Sequence, residues 1–166
     1  MLTLDENDKV LMNPVEEMKL LRQSEHVVYR DHVISGSSLT EIEADLIEVK
    51  VVFDLTKTSA ERVGLKLRGT GHEETVITYS IADQKLMLDC SKSGKKTDGV
   101  RRAALNAEGL LTLHVFLDRS SIEMFANEGQ VTMSSRIYLM QGNAVYKVSH
   151  FVTGIGACKH RHTGII

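Results

Sequence analysis

Apolar and polar positions alternate along most of this chain with a period of two, the spacing of half-buried β-strands. The run "HVVYRDHVI" is rich in β-branched residues, and "SLTEIEADLIEVKVVFDL" sets Leu39, Ile42 and Leu46 among polar neighbours. The same texture returns in "RVGLKLRG", "ETVITYSIADQKLMLDC", "LLTLHVFLD", "SIEMFAN", "VTMSSRIYL" and "AVYKVSHFV". Turn chemistry separates these runs: "GTGHEE" around Gly69 and Gly71, "SIADQK" around Ala82 and Asp83, "SKSGKKTDG" from Ser91 to Gly99, and "ANEGQ" at Gly129. Short strands at spacings of roughly 8 to 12 residues, without helical patterns between them, predict an all-β fold. The expected architecture is a two-sheet antiparallel β-sandwich of jelly-roll or concanavalin-like kind, with one short N-terminal helix.

That helix opens at "NPVEEMKLL". Asn13 is placed to cap it, Pro14 suits its first position and Glu16 falls where a capping-box acid belongs, so it runs to about Arg22 or Gln23. The chain therefore divides into a linker with a short helix over 1–24, a sandwich domain over 25–153 and an atypical, disordered tail over 154–166. In the tail, "GIGACKHRHTGII", a strand would turn Cys158, His160 and His162 to one side, where they could hold a metal. A terminal, Gly-flanked segment reads better as frayed chain, and no metal or other cofactor is expected.

The stretch "LTLHVFLDRSSIEMFANEGQVTMSSRIY" reads as a three-stranded meander. Leu111, Leu113, Val115 and Leu117 form its core face; "DRSS" and Asn127-Glu128-Gly129 are its turns. Asp118 and Glu123 thus fall near the end of one hairpin, beside Arg119 and with Arg136 on the third strand. Two carboxyl groups about 5 Å apart would suit a retaining glycosidase. The arginines argue otherwise, because they favour ionised carboxylates where a general acid needs its proton. The cluster is read as structural. His114, without a Ser or Cys partner, is read as an outward-facing strand residue.

Composition narrows the alternatives. The 166 residues, 42% hydrophobic and 25% charged, are long enough to build a core without disulfides. A net charge of -2 without long single-sign blocks gives no footprint for nucleic acid or an anionic membrane, so neither is an expected partner. The Lys-rich loop at Lys92, Lys95 and Lys96 is read as solvated. Cys90 and Cys158 are too few for a secreted disulfide framework, and no disulfide is expected. No apolar run suggests a membrane span, and "MLTLDENDKV" has no signal-peptide pattern, which leaves the localisation of any parent protein open.

The pattern Asp118-Arg119-Ser120-Ser121-x-Glu123-x-Phe125, followed by Asn127-x-Gly129 and Ser135-Arg136-Ile137, resembles the C-terminal β-sandwich module of glycoside hydrolase family 32, the invertase, levanase and inulinase group of β-fructosidases. "VGLKLRGTGHEETVITYSIADQKLMLDCSKSG" resembles earlier strands of that module, and "NPVEEMKLLR" its connecting helix. Cys90 stands where an Arg is expected after Asp89, and the sequence beyond Tyr138 does not follow the family's closing strand. The resemblance implies a module that packs against an N-terminal five-bladed propeller and borders its substrate cleft or a dimer contact. The propeller's Asn-Asp-Pro-Asn, Arg-Asp-Pro and Glu-Cys motifs carry the family's hydrolysis, and the single proline here, Pro14, belongs to none of them. No catalytic residue carries over. Three readings follow: a non-catalytic module of a fructan- or sucrose-hydrolysing enzyme, an autonomous fructan-binding module, and an independent hydrolase using Asp118 and Glu123. The second lacks the aromatic platform usual for sugars, since there is no Trp and Tyr29, Tyr79, Tyr138 and Tyr146 are scattered.

Overall fold

The computed structural model describes residues 1–23, 26–44, 46–68, 72–94, 99–138 and 146–165. The alternating segments form strands β1 (Leu2–Leu4), β2 (Val10–Met12), β3 (His26–Ala44), β4 (Ile47–Asp54), β5 (Arg62–Arg68) and β6 (Glu74–Ser80). They continue as β7 (Lys85–Lys92), β8 (Val100–Ala104), β9 (Leu110–Leu117), β10 (Ser121–Ala126), β11 (Val131–Arg136) and β12 (Tyr146–Ile165). β1 and β2 make a separate hairpin. The others follow the order β11-β10-β9-β4-β12-β5-β6-β7-β8, with β3 pairing along β12.

What divides this run into two layers is β12. Its residues 157–165 pair with β4, whereas 147–152 pair with β5, and its ladders are irregular between Phe151 and Ile155 and between Cys158 and His160. A strand that changes sheets through such irregularities turns the corner of a sandwich. Between the layers lie Ile47, Val49, Val51 and Phe53 of β4 and Leu111, Leu113, Val115 and Leu117 of β9, facing Val63, Leu65, Leu67, Ile77, Leu86 and Leu88 of the other sheet. The antiparallel sandwich and the core face of β9 are as the alternation predicts. Tyr79 is buried with this core because its hydroxyl is satisfied: it donates to Leu105 O at 3.0 Å and accepts from Ala107 N at 3.4 Å. Cys90, also in the core, is a free thiol, so its position faces the interior and not an ion-pair partner.

Two expectations are corrected. The short N-terminal helix forms as a 3-10 helix, Glu16–Leu21, but without the expected side-chain cap; Leu20 and Leu21 are exposed, so no apolar face is buried to sustain a longer helix. Asn13 is engaged elsewhere, its Nδ2 donating to Glu128 O at 2.7 Å. The segment expected as a disordered tail continues β12 to Ile165, paired with β3 and β4, because an unfilled edge of β4 offers backbone partners that outweigh the strand-weakening glycines.

The turn at Gly69 and Gly71 and the lysines Lys95 and Lys96 lie outside the described residues. So do the side chains of Cys158, His160 and His162, and of Tyr29 and Tyr146. Lys92 is described: it is exposed and pairs with Glu74 at 3.4 Å. No helix among the described residues is long and apolar enough to cross a membrane.

Candidate functional site: the seam between linker and sandwich

On β4 the core-facing residues alternate with Glu48 and Lys50, which point to the outer face of the sheet, where β9 presents His114 and Phe116. An outer face normally leaves a glutamate in water. Here the linker lies across it, and Glu48 is only 1% exposed. Its carboxylate is held by three donors: Arg22 Nε reaches Oε2 at 2.6 Å, Arg22 Nη2 reaches Oε1 at 2.6 Å, and His114 Nε2 lies 2.7 Å from Oε1. An ionised carboxylate only accepts, so His114 Nε2 carries the hydrogen. The forked Arg22 contact fixes direction as well as charge.

Burial pushes the Glu48 carboxyl up, but the hydrogen bonds from His114 and Arg22, with the charge of Arg22, outweigh it and hold the group at about 2 against an ordinary 4.5. The same bond raises Arg22 above its usual value. His114 leans on Phe116, ring centres 4.7 Å apart, and Phe116 meets Phe125 edge-on at 6.2 Å. Beside the cluster runs a groove of about 310 Å3 lined in part by Pro14, Met18, Arg22, Glu48, His114 and Phe116.

The linker is fastened a second time at the β10–β11 turn. Asn127 and Glu128 both take positive φ, 44° and 56°, and Gly129 N–H donates to Ala126 O at 3.1 Å. Gly129 itself has φ 87°, and a Cβ there would collide with the Met12 backbone, so only glycine admits the approach. Met12 N–H donates to Gly129 O at 3.1 Å across this contact. A larger groove of about 780 Å3 opens between the β1–β2 hairpin and this end of the sandwich, lined in part by Asp5, Glu6, Asn106, Asn127, Glu128 and Gln130.

The charged part of the signature lies elsewhere. Asp118, Arg119, Ser120 and Glu123 are all exposed, on and beside the β9–β10 turn, and neither carboxylate lines either groove. Asp118 Oδ1 accepts from Arg119 N at 2.6 Å, and Asp118 N–H donates to Ser121 O at 2.9 Å. Ser121 pairs with Arg136 at the end of the β10–β11 ladder, and the Arg136 guanidinium reaches Tyr138 Oη at 3.4 Å. The stretch after β11 then stitches the layers: Ile137 N–H donates to Ser120 O, Tyr138 N–H to Ser93 O, and Arg101 Nη1 to Ser135 Oγ. Among the described residues no group of three or more His, Cys, Asp and Glu side chains could hold a metal.

Sequence reasoning missed the buried cluster. Glu48 and Lys50 read as the polar half of an alternating strand, and only the linker docked over them distinguishes one from the other. His114 does face outward, but onto a covered surface.

A family model described as the C-terminal part of glycosyl hydrolases family 32 matches residues 17–157. The chain is 36% identical over 137 residues to the sucrose-6-phosphate hydrolase of Zymomonas mobilis, an alignment covering 80% of this chain and 27% of that protein. It is 30% identical over 142 residues to the levanase of Bacillus subtilis, covering 80% of this chain and 21% of the levanase. The chain thus spans about a quarter of the length of these relatives. Among solved structures, fructan 1-exohydrolase IIa from Cichorium intybus superposes with a TM-score of 0.81 at 20% identity, over 99% of this chain and 40% of that one. That likeness establishes the shared fold.

Proposed function

Given that the chain belongs to glycosyl hydrolases family 32 and corresponds to its C-terminal domain, we propose that it is the non-catalytic sandwich module of an enzyme that hydrolyses β-fructosides such as sucrose or fructans. Its work is to stabilise the N-terminal propeller domain that carries the chemistry. The observation that carries this reading is coverage: the chain forms an antiparallel sandwich and matches only about a quarter of the length of its hydrolase relatives. The geometry of the signature favours it too. Asp118 and Glu123 stand on an exposed hairpin outside both grooves, a poor setting for a pair of carboxylates that must enclose a glycosidic bond between them.

The test uses the Zymomonas mobilis sucrose-6-phosphate hydrolase shortened by the C-terminal region that this chain matches. The chain alone is expected to give no turnover of sucrose, sucrose 6-phosphate, levan or inulin. Added to the shortened enzyme, it is expected to restore hydrolysis of sucrose 6-phosphate and to raise its melting temperature. Turnover by the chain alone that disappears in Glu123→Gln, or a shortened enzyme indifferent to the chain, would overturn the proposal.

The larger groove favours a second reading, a fructan-binding module. Carboxylates and carboxamides such as Asp5, Asn106 and Gln130 are the groups that exchange hydrogen bonds with sugar hydroxyls, and the volume of about 780 Å3 accommodates a short oligosaccharide. Calorimetric titration with levan and inulin decides it: saturable heat without turnover supports binding, and no heat leaves the scaffold.

A further inference from the structure

The segment that follows β2 is a strap fastened to the sandwich at both ends. Asn13 Nδ2 bonds Glu128 O at one end, and Arg22 grips the Glu48 carboxylate at the other. Between these anchors the 3-10 helix, Glu16–Leu21, buries no residue. The groove of about 310 Å3 lies between strap and sheet: Pro14 and Met18 line it from the strap, and Glu48, Lys50, His114 and Phe116 from the sheet. Lys50 stands opposite His114 in the β4–β9 ladder and two residues beyond Glu48, so these three polar groups share one face. Each of them keeps hydrogen-bonding capacity. Glu48 Oε2 accepts from Arg22 Nε alone among the described residues. His114 gives its Nε2 hydrogen to Glu48, which on the neutral ring leaves Nδ1 an acceptor, and no described group donates to it. Lys50 is exposed and forms no ion pair among the described residues.

We propose that this groove binds an uncharged mono- or disaccharide, which ties the strap to the sheet. Two acceptors and a cationic donor, side by side, call for a ligand that both donates and accepts. A sugar hydroxyl does both, and the C–H faces of the ring suit Pro14, Met18 and Phe116. A phosphate dianion only accepts, so it would leave the Glu48 and His114 acceptors unserved and would meet the Glu48 charge. The balance of side-chain charge points the same way. Glu16 is paired with Lys19 and Glu48 with Arg22, which leaves Lys50 and Glu128, of opposite sign, and no surplus of cations to hold a phosphate. A volume of about 310 Å3 is at the small end of ligand pockets, enough for one or two sugar rings and too little for a longer chain. The site is separate from the larger groove and goes beyond the supporting role, which stands or falls on its own test.

The experiment titrates the full chain with fructose, sucrose and sucrose 6-phosphate by calorimetry, and follows hydrogen exchange of the strap with and without sugar. Fructose or sucrose is expected to bind saturably and to slow exchange across residues 15–22. Sucrose 6-phosphate is expected to bind more weakly. Lys50→Ala should keep the parent melting temperature, because the side chain is exposed and outside the core, and should weaken sugar binding about tenfold. Gln130→Ala, which alters the larger groove alone, separates the two grooves. A loss of binding in Gln130→Ala with none in Lys50→Ala assigns the sugar to the larger groove and overturns the proposal. Tighter binding of sucrose 6-phosphate than of sucrose overturns it as a site for uncharged sugars. No saturable heat with fructose or sucrose, or binding that leaves exchange of the strap unchanged, overturns it outright.

Discussion

Replacing Glu48 by Gln removes a charge with little change of shape, and removing its partners does the reverse. In Arg22→Ala the carboxylate stays buried with one of its two partner residues gone, a loss expected to cost about 3 kcal/mol. In Glu48→Gln the Arg22 side chain, which is at the surface, can rehydrate, so the cost is expected to be smaller, about 1–2 kcal/mol. The double variant should then be more stable than Arg22→Ala alone; chemical denaturation of the four proteins measures the coupling, and additive losses would refute the buried pair. The pH dependence has a definite sign. Because the folded carboxyl is held near 2 and its ordinary value is 4.5, its contribution is complete above about pH 4.5 and is lost as pH falls toward 2. The difference is worth about 3 kcal/mol at most, and Glu48→Gln should flatten that limb of the stability profile relative to the parent. At the signature corner the effect is smaller. Asp118→Ala removes one exposed bond to Arg119 N, so a loss of about 1 kcal/mol in the melting analysis is expected, whereas no change would deprive the turn of its side-chain support.

At the scale of elements, the β10–β11 turn and the linker depend on each other through Gly129. Gly129→Ala meets both an unfavourable φ of 87° and the Met12 backbone, and is expected to destabilise the chain by about 1–3 kcal/mol. Limited proteolysis should then cut the first fifteen residues faster than in the parent; unchanged cleavage would mean that the hairpin is held by other contacts. The meander around this turn was legible because both its signals are local. Period-two alternation placed Leu111, Leu113, Val115 and Leu117 inside, and Asn127-Glu128-Gly129 is a turn by residue type. The linker was less legible for the opposite reason. "NPVEEMKLL" has good helix-start chemistry, but a six-residue segment whose Leu20 and Leu21 find no core settles as a 3-10 helix. Glu48 and His114 look like solvent-facing strand residues because alternation reports which face a residue takes, and nothing local reports that the linker covers that face.

For the whole molecule the decisive element is β12, whose two halves belong to different layers. The glycines and histidines of "GIGACKHRHTGII" carry no apolar alternation, which is why the sequence reads there as a tail. The pairing is made by backbone instead, with β4 on one side and β3 on the other. Truncation after Thr153 separates the two descriptions. A frayed tail could be deleted with no change in melting temperature. A central strand could not: its removal would open the β4 ladder from Ile47 to Asp54, leave the first half of β3 without its partner, and present two unpaired edges to other copies of the chain. The shortened protein is therefore expected to lose cooperative unfolding and to aggregate at concentrations where the parent is monodisperse. The β5–β6–β7–β8 sheet pairs through 147–152 and does not depend on the deleted residues, so hydrogen exchange should show loss of protection concentrated in β3 and β4. Uniform protection in the truncated chain would return the segment to the status of a tail, and would mean that β4 closes its sheet by some other pairing.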